Sequence, residues 1–163
     1  MAYPQCPTCR KNFVRRSQRQ GVIEHTASLV YIYPFRCQLC TRRFRAFHLG
    51  ARFERYTPDR REYVRIPIRL PVAFSGEQVQ GQGTVVNLSM RGCALETNAP
   101  PHSGEVLCLR LDALNGIPRI EIEAAVVRSI VRNEVGLEVL RIQEAEREKL
   151  RQVIETLLQA PVP

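Results

Sequence analysis

Lysine is nearly missing from this 163-residue chain: Lys11 and Lys149 are the only two among 24 basic residues. Its positive charge is therefore arginine, which suits bidentate phosphate contacts and stacking on flat rings, although a GC-rich genome leaves the same bias. Long apolar runs are missing too. None approaches the roughly 20 residues a membrane helix needs. No signal peptide opens the chain, so the expectation is a soluble, cytoplasmic protein. There is no internal repeat and no low-complexity run. No paired catalytic carboxylates, no nucleophile–base arrangement and no open metal site can be picked out, so the expectation is a protein that is not an enzyme.

What is present is unevenly distributed. Hydrophobic residues make up 44% of the chain, which is near the globular average and implies a packed core. The formal net charge is +8. Residues 1–65 hold 14 Lys+Arg against 4 Asp+Glu, and residues 66–163 hold 10 against 12. This asymmetry points to two modules, with an anionic partner near the first. A solvated basic face that keeps the protein soluble produces the same pattern.

Four of the six cysteines come as two Cys-x-x-Cys pairs, Cys6 and Cys9 in "CPTC" and Cys37 and Cys40 in "CQLC". Each loop brings two thiolates within reach of one ion, and two loops complete a tetrahedron of sulfurs at about 2.3 Å. A disulfide reading is disfavoured in a cytosolic chain, and a redox reading needs only one pair. An iron site with four sulfurs has the same spacing. Structural zinc, one per chain, is the expectation, with no vacancy for catalysis. The strand-rich "TASLVYIYPFRC" supplies the hairpin between the pairs, and Arg10, Arg42 and Arg43 stand ready to offset the thiolate charge. His25 and His48 are conceivable substitute ligands or simply surface residues. Residues 1–44 thus resemble a zinc ribbon, a broad class whose members bind nucleic acid, bind protein or merely stabilise a small fold. Cys93 and Cys108 fall in alternating apolar segments, where free cysteine packs as a small hydrophobe.

Residues 45–59 are polar and basic, interrupted by Gly50 and Pro58, and read as a linker. From residue 60 onward short alternating segments follow one another. In "REYVRIPIRLPVAF" the apolar residues Val64, Ile66, Ile68, Leu70 and Val72 alternate, with Pro67 and Pro71 on the opposite parity, which places this strand at an edge. "GQGTVVNLSMRGCALET" reads as two strands broken at 87–92, and three further strand patterns follow, which implies an antiparallel barrel or sandwich. "QEAEREKLRQVIETLLQA" carries Leu150, Val153, Ile154, Leu157 and Leu158 at helical spacing. Early acids with Lys149 and Arg151 later suit the helix dipole. This helix covers a barrel mouth, packs on another chain, or both.

The arginines at the barrel entrance ask for an anion. Arg61-x-x-x-Arg65 puts two guanidinium forks on one segment, and "NLSMRG" brings Asn87, Ser89 and Gly92 after the next strand. A phosphate is held by an arginine fork, and a guanine takes forks on O6 and N7 with acceptors for its amino group. Each motif alone is equally a basic rim or a common turn. In this order and separation they resemble the PilZ family over residues 59–158, with "VRNEVGLEVLRI" and its Gly136 similar to the late PilZ strand.

The resemblance implies a six-stranded antiparallel barrel with a C-terminal helix that binds the bacterial second messenger cyclic di-GMP. Carried over, Arg61 and Arg65 clamp phosphate and guanine, Asn87 and Ser89 bond the guanine edge, and Gly92 leaves room for it. Arg60 adds a cation compatible with two stacked ligand molecules. Asn87 stands where many members carry Asp. The resulting expectation is a receptor: zinc ribbon at 1–44, linker at 45–59, barrel with helix at 60–163, with ligand binding reorienting the ribbon toward a protein partner. The alternatives are a ribbon that binds nucleic acid, with a steep salt dependence, and a degenerate barrel that makes only protein contacts.

Overall fold

The computed structural model describes residues 4–49, 62–112 and 116–159. The chain forms two compact units, Met1–Val64 and Arg65–Pro163.

The first unit is a three-stranded antiparallel sheet, β1 (Val14–Arg16), β2 (Ile32–Cys37) and β3 (Arg43–Phe47), with β2 in the middle. A short helix α1 (Gly21–Ala27) and a 3-10 turn (Ser28–Val30) connect β1 to β2. This replaces part of the expected hairpin: "TASLV" belongs to the helical connection, and the strand begins at Ile32. Gly21 takes a φ of 69°, a left-handed conformation that a Cβ disfavours, as the chain enters α1. One sheet face buries Tyr33 and Phe35, with Val14, Tyr31, Phe44 and Ala46 packed against them. Phe35 stacks on Phe44 at 6.1 Å and meets the buried His48 ring edge-on at 5.8 Å. Directly paired residues share a face, so the pairings Arg15↔Arg36 and Arg36↔Arg43 set three arginines in a row on the other side. β3 runs to Phe47, and residues 62–64 also bond to this unit.

The second unit is a closed antiparallel barrel of six strands in the order β4-β5-β6-β9-β8-β7. They are β4 (Ile66–Ser75), β5 (Gln80–Ser89), β6 (Gly92–Glu96), β7 (Val106–Leu111), β8 (Ile120–Val131) and β9 (Glu134–Arg141). In β4 the buried residues Ile66, Leu70, Val72 and Phe74 keep one parity, and Ile68 on the same parity is half-buried where the register shifts between Pro67 and Leu70. β4 is not an edge strand, since it pairs with β5 along its length and with β7 at Val72–Ser75. Pro67 lies in the stretch that has only β5 beside it, where a missing N–H costs no ladder bond on the other side.

The break expected at 87–92 is narrower. β5 continues through Ser89, and only Met90 and Arg91 turn the hairpin into β6. Cys93 is buried as expected; Cys108 is exposed on β7, its thiol donating to the Glu123 carbonyl at 3.0 Å. The helix α2 (Glu144–Gln159) buries Leu150, Val153 and Ile154 and packs on β8 and β4 of its own barrel. Glu146 accepts the Glu121 N–H at 2.9 Å and ties the helix start to β8. No base lies in the last turn: Lys149 and Arg151 sit mid-helix and pair with Glu146 and Glu148, so they do not compensate the C-terminal dipole.

Candidate metal centre and ligand site

The two Cys-x-x-Cys loops have matching geometry. The Cys6 N–H donates to the Lys11 carbonyl at 3.0 Å, and the Cys37 N–H donates to the Arg42 carbonyl at 2.9 Å. The residue four after each, Arg10 and Thr41, takes a positive φ of 56° and 63°. Each loop therefore folds its second cysteine back over the first. The N–H groups of Leu39 and Cys40 point at Cys37 Sγ, at 3.4 and 3.5 Å. Between the loops, Cys6 and Cys40 Sγ lie 3.4 Å apart and Cys9 and Cys37 Sγ 3.5 Å apart, and all four sulfurs fall within 4.8 Å of one another.

Four sulfurs at about 2.3 Å from one ion would sit about 3.8 Å apart. The donor set fits a tetrahedral thiolate-binding ion with no position left open. Burial opposes a Cys6 thiolate, but the N–H groups of Cys9 and Thr8 and the neighbouring thiols outweigh it and bring the group down to about 7. Burial pushes Cys37 and Cys40 up. A bound cation would reverse that preference.

Neither expected histidine joins the cluster. His25 is exposed, its Nδ1 against the Gly21 carbonyl at 2.9 Å, and His48 packs on Phe35. Arg43 is not available to offset the thiolates: its Nη2 bonds the Glu24 carboxylate at 2.6 Å. Arg45 bonds the same carboxylate at 3.2 Å. Glu24 is 1% exposed and pins α1 to the sheet. Burial would raise its pKa, but the bonds from Arg43, the Gln20 N–H and Arg45 hold it below the ordinary carboxylate value.

Of the expected ligand residues, Arg60 and Arg61 lie outside the described residues. Arg65 is exposed, immediately before β4. The pairings Ile66↔Leu88 and Pro67↔Asn87 bring Arg65 next in line opposite Ser89, and Ser89 pairs with Gly92 on β6. Arg65, Ser89 and Gly92 thus stand in one row across three strands. Arg65's charge is felt at the adjoining Cys93, where it opposes the burial that pushes that thiol up to about 12.

Ser89 Oγ donates to the Gly92 carbonyl at 3.0 Å and so closes the hairpin while keeping its lone pairs. Asn87 Oδ1 is buried and has no hydrogen-bond partner, a cost the fold bears without return. A Cβ on Gly92 would run into the Leu137 carbonyl of β9. The barrel itself therefore demands glycine there, whatever room a ligand needs.

The row continues into residues the sequence reading passed over. Gly92 pairs with Glu138, whose carboxylate accepts from Arg128 at 2.7 Å and Arg91 at 2.9 Å. Those bonds, Arg128's first, hold Glu138 below the ordinary value. Arg91 lies inside "NLSMRG" and was legible as a further cation. Two clefts, of about 880 and 900 Å³, open elsewhere on the barrel, along Gln80–Gln82 with Cys108–Arg110 and along Gln82–Thr84 with Glu96–Asn98.

The closed six-stranded antiparallel barrel with its C-terminal helix is an architecture of a defined class. The PilZ domain family model matches residues 59–156, and the chain belongs to that family. No curated protein matches it. Among solved structures, the PilZ domain of CeSA from a cellulose-synthesizing bacterium shares 17% identity, covering 59% of this chain and 99% of that one, with a TM-score of 0.47. The Bacillus subtilis inhibitor of motility (MotI/DgrA) shares 26% identity over 63% of this chain, with a TM-score of 0.50. The match spans 53% of that protein's length. The family match begins at residue 59, so the cysteine unit lies almost wholly outside it.

Proposed function

We propose that this chain is a receptor for cyclic di-GMP, with a structural zinc in its N-terminal unit, and that it signals to a protein partner by reorienting that unit. PilZ domains generally bind this messenger. The observation that carries the reading here is the orphaned Asn87 Oδ1, buried two residues before Ser89 and beside the row that leads to Arg65. An acceptor without a partner is satisfied by a donor that arrives, and guanine offers N–H donors on its edge.

In this reading Arg61 and Arg65 fork to phosphate and guanine, Asn87 and Ser89 bond the base edge, and Arg60 assists a second stacked molecule. Zinc, held by Cys6, Cys9, Cys37 and Cys40, supplies a cross-link that the small unit's core does not. The site carries recognition and no bond-breaking chemistry, which makes the chain a receptor rather than an enzyme, acting in the cytoplasm.

One arrangement supports coupling between ligand and metal unit. Gln38 lies inside "CQLC"; its amide donates to the Glu62 carbonyl at 3.2 Å and accepts the Val64 N–H at 2.7 Å. Arg36 bonds the Tyr63 hydroxyl and the Glu62 carboxylate, both at 3.1 Å. The residues directly after Arg61 are thus held by the metal loop itself, and an anion that draws in Arg61 pulls on that loop.

Calorimetric titration of the full chain with cyclic di-GMP, set against GTP, the linear dinucleotide and duplex DNA, tests the proposal. Saturable binding of the cyclic dinucleotide alone, weakened by Arg65→Ala, is expected. DNA binding with a steep salt dependence and no response to the dinucleotide would overturn it.

A further inference from the structure

Helix α1 is built inside out. Soluble helices bury their apolar stripe and expose their charges. Here the acid of α1, Glu24, is 1% exposed and clamped between Arg43 and Arg45, while Val22 and Ile23 are 78% and 70% exposed. The following 3-10 turn exposes Leu29 at 72% and Val30 at 60%. All four side chains are exposed on α1 and the turn that continues it, so they stand on the outward side of this connection. Phe47, 61% exposed at the end of β3, adjoins the same end of the unit through its ring contact with Tyr31 at 6.2 Å. Monomeric domains rarely leave such a cluster in water without a use for it.

The charge around the cluster says what covers it. The described residues of this unit contain nine Lys or Arg against two acids, Glu24, which is buried, and Glu62, which pairs with Arg36. Arg19 lies on the cluster itself, bonding the Ser28 hydroxyl at 3.0 Å between Ala27 and Leu29. Arg45 is half-exposed on the other side of Glu24. Protruding aliphatic side chains in a rim of one sign match an anionic bilayer surface, where apolar groups enter the headgroup boundary and arginines meet lipid phosphates.

We propose that the α1 face of the cysteine unit is a membrane-surface site for anionic lipid. The chain lies on the bilayer and does not cross it: no helix among the described residues is long and apolar enough to span. Neither apolar insertion nor basic attraction alone gives firm binding, and their combination does. The proposal stands independently of the nucleotide reading.

The chain has no tryptophan, so a single introduced one reports its own surroundings. The full-length, metal-loaded Leu29→Trp variant is mixed with phosphatidylcholine vesicles, alone and with phosphatidylglycerol added. Val131→Trp, on the barrel and 67% exposed, is the control. Co-sedimentation only with the anionic vesicles is expected, with a blue shift at position 29, quenching by brominated acyl chains, and no change at position 131.

Ile23→Ser with Val30→Ser removes only exposed groups and should lower the partition coefficient about tenfold or more while metal content and circular dichroism stay unchanged. Sedimentation without a blue shift at position 29 would reduce the effect to adhesion of a basic protein and overturn the proposal. So would equal partitioning of the double serine variant. Concentration-dependent dimerisation abolished by the same two serines would assign the face to a second copy and overturn it equally.

Discussion

The barrel buries Leu70, Leu88, Leu95, Leu107, Leu111, Ile120, Ile122, Leu150 and Ile154 completely. Among the largest fully buried side chains described, the cysteine unit contributes three: Phe35, Leu39 and Glu24, one of them a carboxylate. One unit is held by apolar area removed from water, the other by ion pairs around a small aromatic cluster, beside four cysteines that could hold a metal ion. Below roughly 70–80 residues a single core rarely suffices, and small units add a metal or other cross-link. The difference teaches that one chain can place two folding regimes side by side, and that each should fail under its own stress.

Removing the metal should show this most strongly. Structural zinc contributes on the order of 10 kcal/mol of folding energy to small units. Cys37→Ser, or a strong chelator, should strip the ion and expose the amides of 4–49 to exchange, while the barrel keeps its cooperative melt. Elemental analysis and hydrogen exchange check it; a single melt in which both units are lost together would break the comparison. Acid should act likewise, because protons compete with the ion for Cys37 and Cys40, whose pKa values burial raises in the ion's absence. Ion release therefore rises as pH falls.

The buried carboxylate comes next. Glu24→Ala leaves Arg43 and Arg45 facing each other and should cost about 2–4 kcal/mol, at the lower side of a broken buried pair because Arg45 reaches water. The Glu24 pKa is depressed in the folded state. Its contribution is full at neutral pH and is lost as pH falls through the folded value, below the ordinary carboxylate range. On the barrel, Arg69 and Glu96 stand 3.8 Å apart with both side chains largely in water, and Glu96→Gln should change stability by less than about 1 kcal/mol. Denaturant titration of each variant compares the two; an equal cost would mean that Glu24 is not a pin.

The ligand variants sharpen the barrel side. Arg65→Ala should weaken cyclic di-GMP binding by about 2–4 kcal/mol, since it leaves phosphate or guanine unpaired, and Asn87→Ala by about 1–2 kcal/mol. Arg65 is exposed and Asn87 Oδ1 has no hydrogen bond to lose, so the melting temperature should hardly move. Calorimetry and thermal melts together separate recognition from stability. Unchanged affinity in the Arg65 variant would leave the barrel without its proposed site.

How far these features could be read in the sequence follows the physics. Period-two alternation exposes an apolar face directly, so the barrel strands and the α2 stripe were legible. Two Cys-x-x-Cys pairs have few other uses, so the metal cluster was legible too. What escaped depends on tertiary pairing. Nothing local marks Glu24 as buried, because its partners come from β3, about twenty residues on. α1 was missed because its apolar residues face outward and give no inward stripe. Cys108 read as core by alternation, yet its side chain falls on the outer parity of β7. Gly92 was read for a ligand's sake, and only the neighbouring strand shows that the Leu137 carbonyl forbids a side chain. The Arg91–Glu138–Arg128 group needed β8 and β9 placed beside the hairpin.

The smallest expected effect bears on whether the two regimes communicate. Gln38 makes no contribution to the four-sulfur cluster, yet both ends of its amide hold the backbone of Glu62 and Val64. Gln38→Ala removes those two bonds and leaves Cys37 and Cys40 in place. Metal content and the barrel's melting temperature should be unchanged. The segment after Arg61 loses its pre-ordering, and cyclic di-GMP affinity should fall by about 1 kcal/mol, the entropy of holding a few residues that the free chain no longer holds. Hydrogen exchange supplies the second arm: ligand-induced protection across 50–65 should still appear in the variant, but its spread into the 37–42 loop should be lost. If affinity stays at the native value and the metal loop responds to ligand as before, the cysteine unit and the barrel do not communicate through Gln38. The cysteine unit would then carry no part of the binding site's output.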